Sequence, residues 1–146
     1  MSNTAYKDDV IAWSREQAEL LTTGRWELLD IEHLADEILD VGKSEQRELE
    51  SRMALLLMHL LKWRFQPDRR GESWEKTIKE QRKALLFRLK KTPSLKPNLQ
   101  DEEWQLTVWF DAKHSAAKEM GIAFDLFPDA CPWTITDVLD EGWMPN

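Results

Sequence analysis

One eleven-residue run, Met53-Ala54-Leu55-Leu56-Leu57-Met58-His59-Leu60-Leu61-Lys62-Trp63, limits what this chain can become more than any other stretch. Leu49, Met53, Leu56, Leu60 and Trp63 recur at the i, i+4, i+7, i+11, i+14 spacing of one helical face, and Leu55 and Met58 fall on the opposite side. The pattern predicts a helix from Ser44 to Gln66. A helix apolar on both sides needs neighbours on both. At about 1.5 Å per residue the run falls well short of the roughly 20 apolar residues a bilayer requires, and His59 interrupts it. It is expected in a protein core.

Five Gly and six Pro in 146 residues, most of them between periodic segments, leave too few turns for a sheet protein and exclude β-sandwich and α/β readings. The expected fold is all-α, a single domain over 1–146 formed by a bundle of about five helices plus a short C-terminal helix. Residues 1–7 are expected to be flexible, and residues 122–146 to form an irregular, aromatic segment with a short helix packed on the bundle. The start of the chain lacks a secretory h-region, and the expected compartment is the cytoplasm. The lone Cys131 has no intramolecular partner, and no Cys/His spacing suits zinc, so no disulfide, metal or cofactor is expected.

In chain order, the acidic pair Asp8-Asp9 opens a first helix that runs to Thr22, with Gly24 ending it. Asp30 is placed to cap a second helix in which Ile31, Leu34, Ala35, Ile38 and Val41 share the inner side, and Gly42 is expected to close it. Its other surface carries Glu32, Asp36 and Asp40 at i+4 steps, an acidic stripe that calls for nearby cations. Ser44 caps the central helix and Ser73 a fourth, in which Trp74, Ile78, Gln81, Leu85 and Leu89 share a face. A fifth is expected from Ser94 to Gly121, with Leu95, Leu99, Leu106, Trp109, Ala116 and Met120 inward. Thr134 with Asp137 resembles a capping box for a last short helix through Leu139.

The succession Leu34-Ala35-Asp36-Glu37-Ile38, Gly42-Lys43-Ser44, Leu57-Met58-His59-Leu60-Leu61-Lys62-Trp63, Ser73-Trp74, Gln81-Arg82, Phe127-Pro128 and Cys131-Pro132 resembles a bacterial family called domain of unknown function 29. The likeness extends over nearly the whole chain and implies a helical fold with no established activity. Trp104, Val108 and Trp109 depart from the family's more alanine-rich pattern in that stretch.

The reading that suits these features is a binding or protein-interaction module without catalysis. Phe87, Trp104 and Val108 are expected on its outer surface, as sites for a protein partner or a second copy. An alternative is an enzyme or an anion- or metal-binding protein in which His59 meets a carboxylate, Glu37 being the candidate, and Arg82; Glu102, Lys113 and Gln81 also fall on or near inner faces. Glu37 and His59 would need steeply crossed helices to touch. Asp111 and His114 at i, i+3 are a weaker metal candidate, because the duplicated Glu-x-x-His of helical di-metal sites is missing. The second alternative is nucleic-acid binding. Residues 62–91 hold eleven Lys/Arg against four Asp/Glu within a chain of net charge −7, although packing against the chain's own acids is the plainer use of such a segment.

Overall fold

The computed structural model describes residues 5–146, which form helices and turns and no strand. The helices are α1 (Val10–Thr22), α2 (Ile31–Phe65), α3 (Glu72–Lys91), α4 (Glu102–Met120) and α5 (Ile135–Leu139). Short 3-10 segments precede α2, α3 and α4, and another follows α4. None of the helices is long and apolar enough to cross a membrane, among the described residues. The chain divides into two compact units, Met1–Ser44 and Glu45–Asn146.

The first unit holds α1 and the beginning of α2. Asp9 starts α1 by accepting a hydrogen bond from the Ala12 N–H at 3.1 Å, and Gly24, at φ +74°, supplies the left-handed backbone that follows the helix. Only Trp13, Gln17 and Leu20 of α1 are buried. Of the flexible start expected over 1–7, residues 1–4 lie outside the described residues; Tyr6 stacks on His33 with ring centroids 4.3 Å apart and meets the edge of Trp13 at 4.8 Å.

The second unit contains the core. Leu49, Met53, Leu56, Leu60 and Leu61 of α2 are inaccessible, and they pack with Ile78, Leu85 and Leu89 of α3 and with Val108, Trp109 and Ala112 of α4. Each such Leu contributes about 1.5–3 kcal/mol by leaving water. The C-terminal segment closes this core with Phe127 and Val138, and Trp133 meets the edge of Trp109 at 5.7 Å. Thr134 caps α5 by accepting from the Asp137 N–H at 3.1 Å.

Three expected boundaries are corrected. Gly42 does not end a helix: α2 runs through it, because a lone Gly costs a helix only about 1 kcal/mol relative to Ala and no proline follows. The fifth helix does not begin at Ser94, because Pro93 and Pro97 hold Pro93–Gln100 in 3-10 geometry and Asp101 caps α4 instead, accepting from the Glu103 N–H at 3.0 Å. Trp104 and Val108, expected on the outside, are 8% and 2% exposed, while Leu106, expected inside, faces solvent. Gly71, not Ser73, occupies the cap position of α3.

Candidate functional site

The largest departure from the expected packing lies in the first unit. Ile31, Ile38 and Val41, the side chains expected to face a core, are exposed, Ile38 at 70%. Val10, Ile11 and Leu21 of α1 are exposed as well. The α1 and α2 side chains Val10, Ile11, Ser14, Ala18, Leu21 and Leu34 line an open groove of about 370 Å³, with Trp13 and Gln17 at its floor and Glu37 contributing a carboxylate. Apolar surface on this scale is what a monomer ordinarily covers.

A polar and aromatic cluster holds this groove in shape. Asp30 caps α2 and accepts from Trp13 Nε1 at 3.0 Å, while its own backbone N–H donates to Gln17 Oε1 at 2.8 Å. His33 Nδ1 lies 2.8 Å from Asp30 Oδ2, and that bond holds the Asp30 carboxyl below the usual carboxylate range. The Tyr6 hydroxyl donates to Glu37, which pushes the phenol up to about 12. Two links from α1, and one from Tyr6 ahead of it, therefore reach the start of α2 through side-chain hydrogen bonds and not through a hydrophobic core. Sequence reasoning missed this cluster because its members lie 3 to 31 positions apart and no short motif joins them. The single legible sign was Asp30 at an N-cap.

The acid–base set expected around His59 does not assemble. Glu37 and His59 fall on one helix, α2, and not on the two crossing helices that a contact between them required. His59 Nδ1 is 3.0 Å from the Leu55 carbonyl one turn back, a bond within its own helix. Partial burial pushes the imidazole below its ordinary value, and nearby Lys62 adds to that, while the Leu55 bond and Glu119 oppose it. Lys62 is itself bound to Glu119 at 2.6 Å and lies over the Trp74 ring.

Arg82 is 1% exposed and spends its guanidinium on the C-terminal backbone. Nε donates to the Val138 carbonyl at 2.8 Å, Nη2 to Trp143 at 2.6 Å and Nη1 to Glu141 at 3.4 Å. These bonds satisfy a charge that burial would otherwise make costly, and they tie α3 to the last residues of the chain. An anion-binding role for Arg82 is replaced by this clamp. Lys113, also buried, donates to the Asp129 carbonyl at 3.3 Å and lies over the Phe124 ring.

Among the other candidates, Phe87 is 64% exposed on α3, as expected. Asp111 and His114 form no metal cluster, and no group of three or more His, Cys, Asp or Glu is placed to hold an ion among the described residues; His114 stacks on Phe110. Cys131 borders a cleft of about 320 Å³ with Leu57, Gln105 and Trp133, where burial pushes its thiol up and so away from the reactive thiolate. In the basic segment, Arg88 pairs with Glu45 and Glu48 at 3.3 Å, and Lys62 pairs with Glu119. Lys76 lies 4.0 Å from Glu80.

The family described as domain of unknown function DUF29 matches residues 5–144. No curated protein matches the chain, and no solved structure does. With nearly its whole length matched, the chain belongs to the DUF29 family.

Proposed function

We propose that this DUF29 protein works by docking another protein on the apolar face of its Met1–Ser44 unit. One observation carries the reading: a face built from two helices at core-like spacing, with Ile31, Ile38 and Val41 all exposed, beside a groove that the unit's own side chains leave open. The polar cluster around Asp30 supports it, because a docking groove must keep its shape while empty, and the hydrogen bonds that join Trp13 and Gln17 of α1 to Asp30 at the start of α2 do that without consuming the aliphatic side chains. Ile and Val at such positions stabilise nothing in the free unit and gain their burial only in a complex.

The test places a photo-activatable benzophenone amino acid at position 38 of the full chain in living cells. Discrete protein adducts should form from that position and disappear when Ile31→Asp and Val41→Asp are added. Absence of any protein adduct from position 38, or a pattern no different from that of a solvent-facing control at Arg47, would remove the reading.

A further inference from the structure

We infer that the second half of α3 is a binding surface for single-stranded nucleic acid, with Phe87 as a stacking platform and the lysines around it as phosphate contacts. The chain as a whole carries −7, yet residues 81–100, the end of α3 and the 3-10 segment after it, hold six Lys/Arg and no Asp/Glu. The other residues therefore sum to −13. Arg82 is spent on the C-terminal backbone, and the remaining cations of the stretch are Lys83, Arg88, Lys90, Lys91 and Lys96. All four lysines are exposed. A polyanion is repelled by the acidic remainder of the chain and drawn to this end.

Neighbours on a helix surface stand three and four positions apart, and for Phe87 these are Lys83, Ala84, Lys90 and Lys91. The Phe87 ring is 64% exposed, with Lys91 Nζ 5.9 Å from its centroid. Lys83, Lys90 and Lys96 have no ion-pair or hydrogen-bond partner among the described residues, whereas Lys62 of α2 is neutralised by Glu119. Beside the ring, between α2 and α3, lies an open cleft of about 360 Å³ lined by Arg52, Arg88, Lys91 and Thr92, with Glu45 as its carboxylate. Arg52 and Arg88 both donate to Glu48 Oε1, at 2.9 and 3.3 Å, so the two guanidiniums share one acid and keep N–H groups to spare for a phosphate. An aromatic ring bare to solvent and ringed by unneutralised cations is thus continuous with a cationic cleft.

Single strands fit these features where other partners do not. In a duplex the base faces are already stacked on one another and Phe87 would meet only backbone, whereas an unpaired base offers its face to the ring while its flanking phosphates reach lysines about 5–6 Å to either side along the helix. The centre of a protein interface is depleted in Lys, and here every exposed helical neighbour of Phe87 is a Lys. Lying on a membrane requires a broad apolar face, and that of α3, with Ile78, Leu85 and Leu89, is buried in the core, which leaves Phe87 and Leu86 outside.

Fluorescence anisotropy tests this on the full chain with labelled oligo(U) and oligo(dT) of about 12 nucleotides, alongside a duplex of the same length and vesicles of phosphatidylglycerol with phosphatidylcholine. At about 0.05 M salt at least one of the single strands should bind with a Kd below about 10 μM and more tightly than the duplex. Its affinity should fall roughly tenfold by about 0.15 M salt, the slope for about three neutralised phosphates. Phe87→Ala should weaken binding roughly fivefold or more without changing that slope, and Phe87→Trp should restore it. Lys83→Glu with Lys90→Glu should abolish binding, while Arg69→Glu with Lys118→Glu, which reverses as much charge at exposed positions elsewhere, should change it little. Circular dichroism checks that each variant keeps its helix content. No binding to either strand overturns the inference. So does a duplex bound as tightly as the single strands, an unchanged affinity in Phe87→Ala, or an equal loss from the two charge-reversed pairs. Vesicle binding that Phe87→Ala removes, in a chain that ignores both strands, overturns it in favour of a lipid surface.

Discussion

Along α2, Leu49, Met53, Leu56 and Leu60 are sealed from solvent in the Glu45–Asn146 unit, whereas Ile31, Ile38 and Val41 stand open in the Met1–Ser44 unit. Both sets sit at helical spacing on a single helix. Their difference lies in what surrounds them. The second unit brings α3, α4 and the C-terminal segment onto its stripe, and the first brings only α1, which is joined to α2 largely through Asp30, His33, Gln17 and Glu37. Periodicity thus identifies a face that needs cover without saying whether the chain supplies it.

Paired truncations give the sharpest contrast. Leu60→Ala should cost about 2–5 kcal/mol in denaturant unfolding, because the cavity it leaves is walled by α3 and α4. Ile38→Ala should stay within about 0.5 kcal/mol in the monomer, since its side chain is already hydrated. Equal losses at the two positions would erase the distinction between the units.

The same contrast explains what the sequence disclosed. The central stripe was legible because Leu49 to Trp63 is apolar on two sides, which admits one kind of environment, and Gly121 and Thr134 marked their helix ends through local chemistry that operates wherever they stand. Gly42 misled because a glycine signals a helix end only when the residues after it fail to continue the helix, and Lys43 to Arg47 continue it. Trp104 and Val108 misled because two prolines hold Pro93–Gln100 in 3-10 geometry and move the cap of α4 seven residues, from Ser94 to Asp101; Trp104 and Val108 turn inward and Leu106 outward, while Trp109 and Ala116 stay inside as expected. Arg82 and the Asp30 cluster could not be read at all, since their partners are backbone carbonyls 56 to 61 positions away and side chains on another helix.

Gly42 offers the next largest effect. Gly42→Pro should remove the bond from position 42 to the Ile38 carbonyl and clash with the preceding turn, at a cost of about 3 kcal/mol or more to α2. Gly42→Ala should do the reverse, adding about 0.5–1 kcal/mol, because a Cβ there meets nothing within 4 Å. Hydrogen exchange of the amides from Leu39 to Ser44 reads both. An Ala variant with faster exchange would mean that α2 is interrupted at that position.

In the first unit the strongest single polar dependence falls on Asp30. Replacing it with Ala removes the cap of α2 and leaves Trp13 Nε1 and the His33 ring without their acceptor, a loss of about 0.5–2 kcal/mol by the usual worth of such caps. Local exchange at His33 and Leu34 should quicken while Leu56 to Leu61 remain protected. Loss of protection in both stretches together would show that the units unfold as one.

The smallest expected effect is a pH dependence confined to the second unit. His59 is held below its ordinary value by burial and by Lys62, against the pull of the Leu55 carbonyl and Glu119, so the folded protein binds that proton less readily than the unfolded chain. A group with a lowered folded value favours the fold fully above its unfolded value of about 6.5, and the contribution fades as pH falls through the lower folded value. Acidification from about pH 7.5 to about pH 5 should therefore lower the thermal midpoint more in the wild-type chain than in His59→Gln, which retains an amide able to reach the Leu55 carbonyl. The comparison removes contributions from His33 and His114, which both chains share. Identical slopes would mean that the His59 ring is as hydrated in the fold as out of it, and the side of α2 where Lys62 pairs with Glu119 of α4 would then belong with the open surfaces and not with the sealed ones.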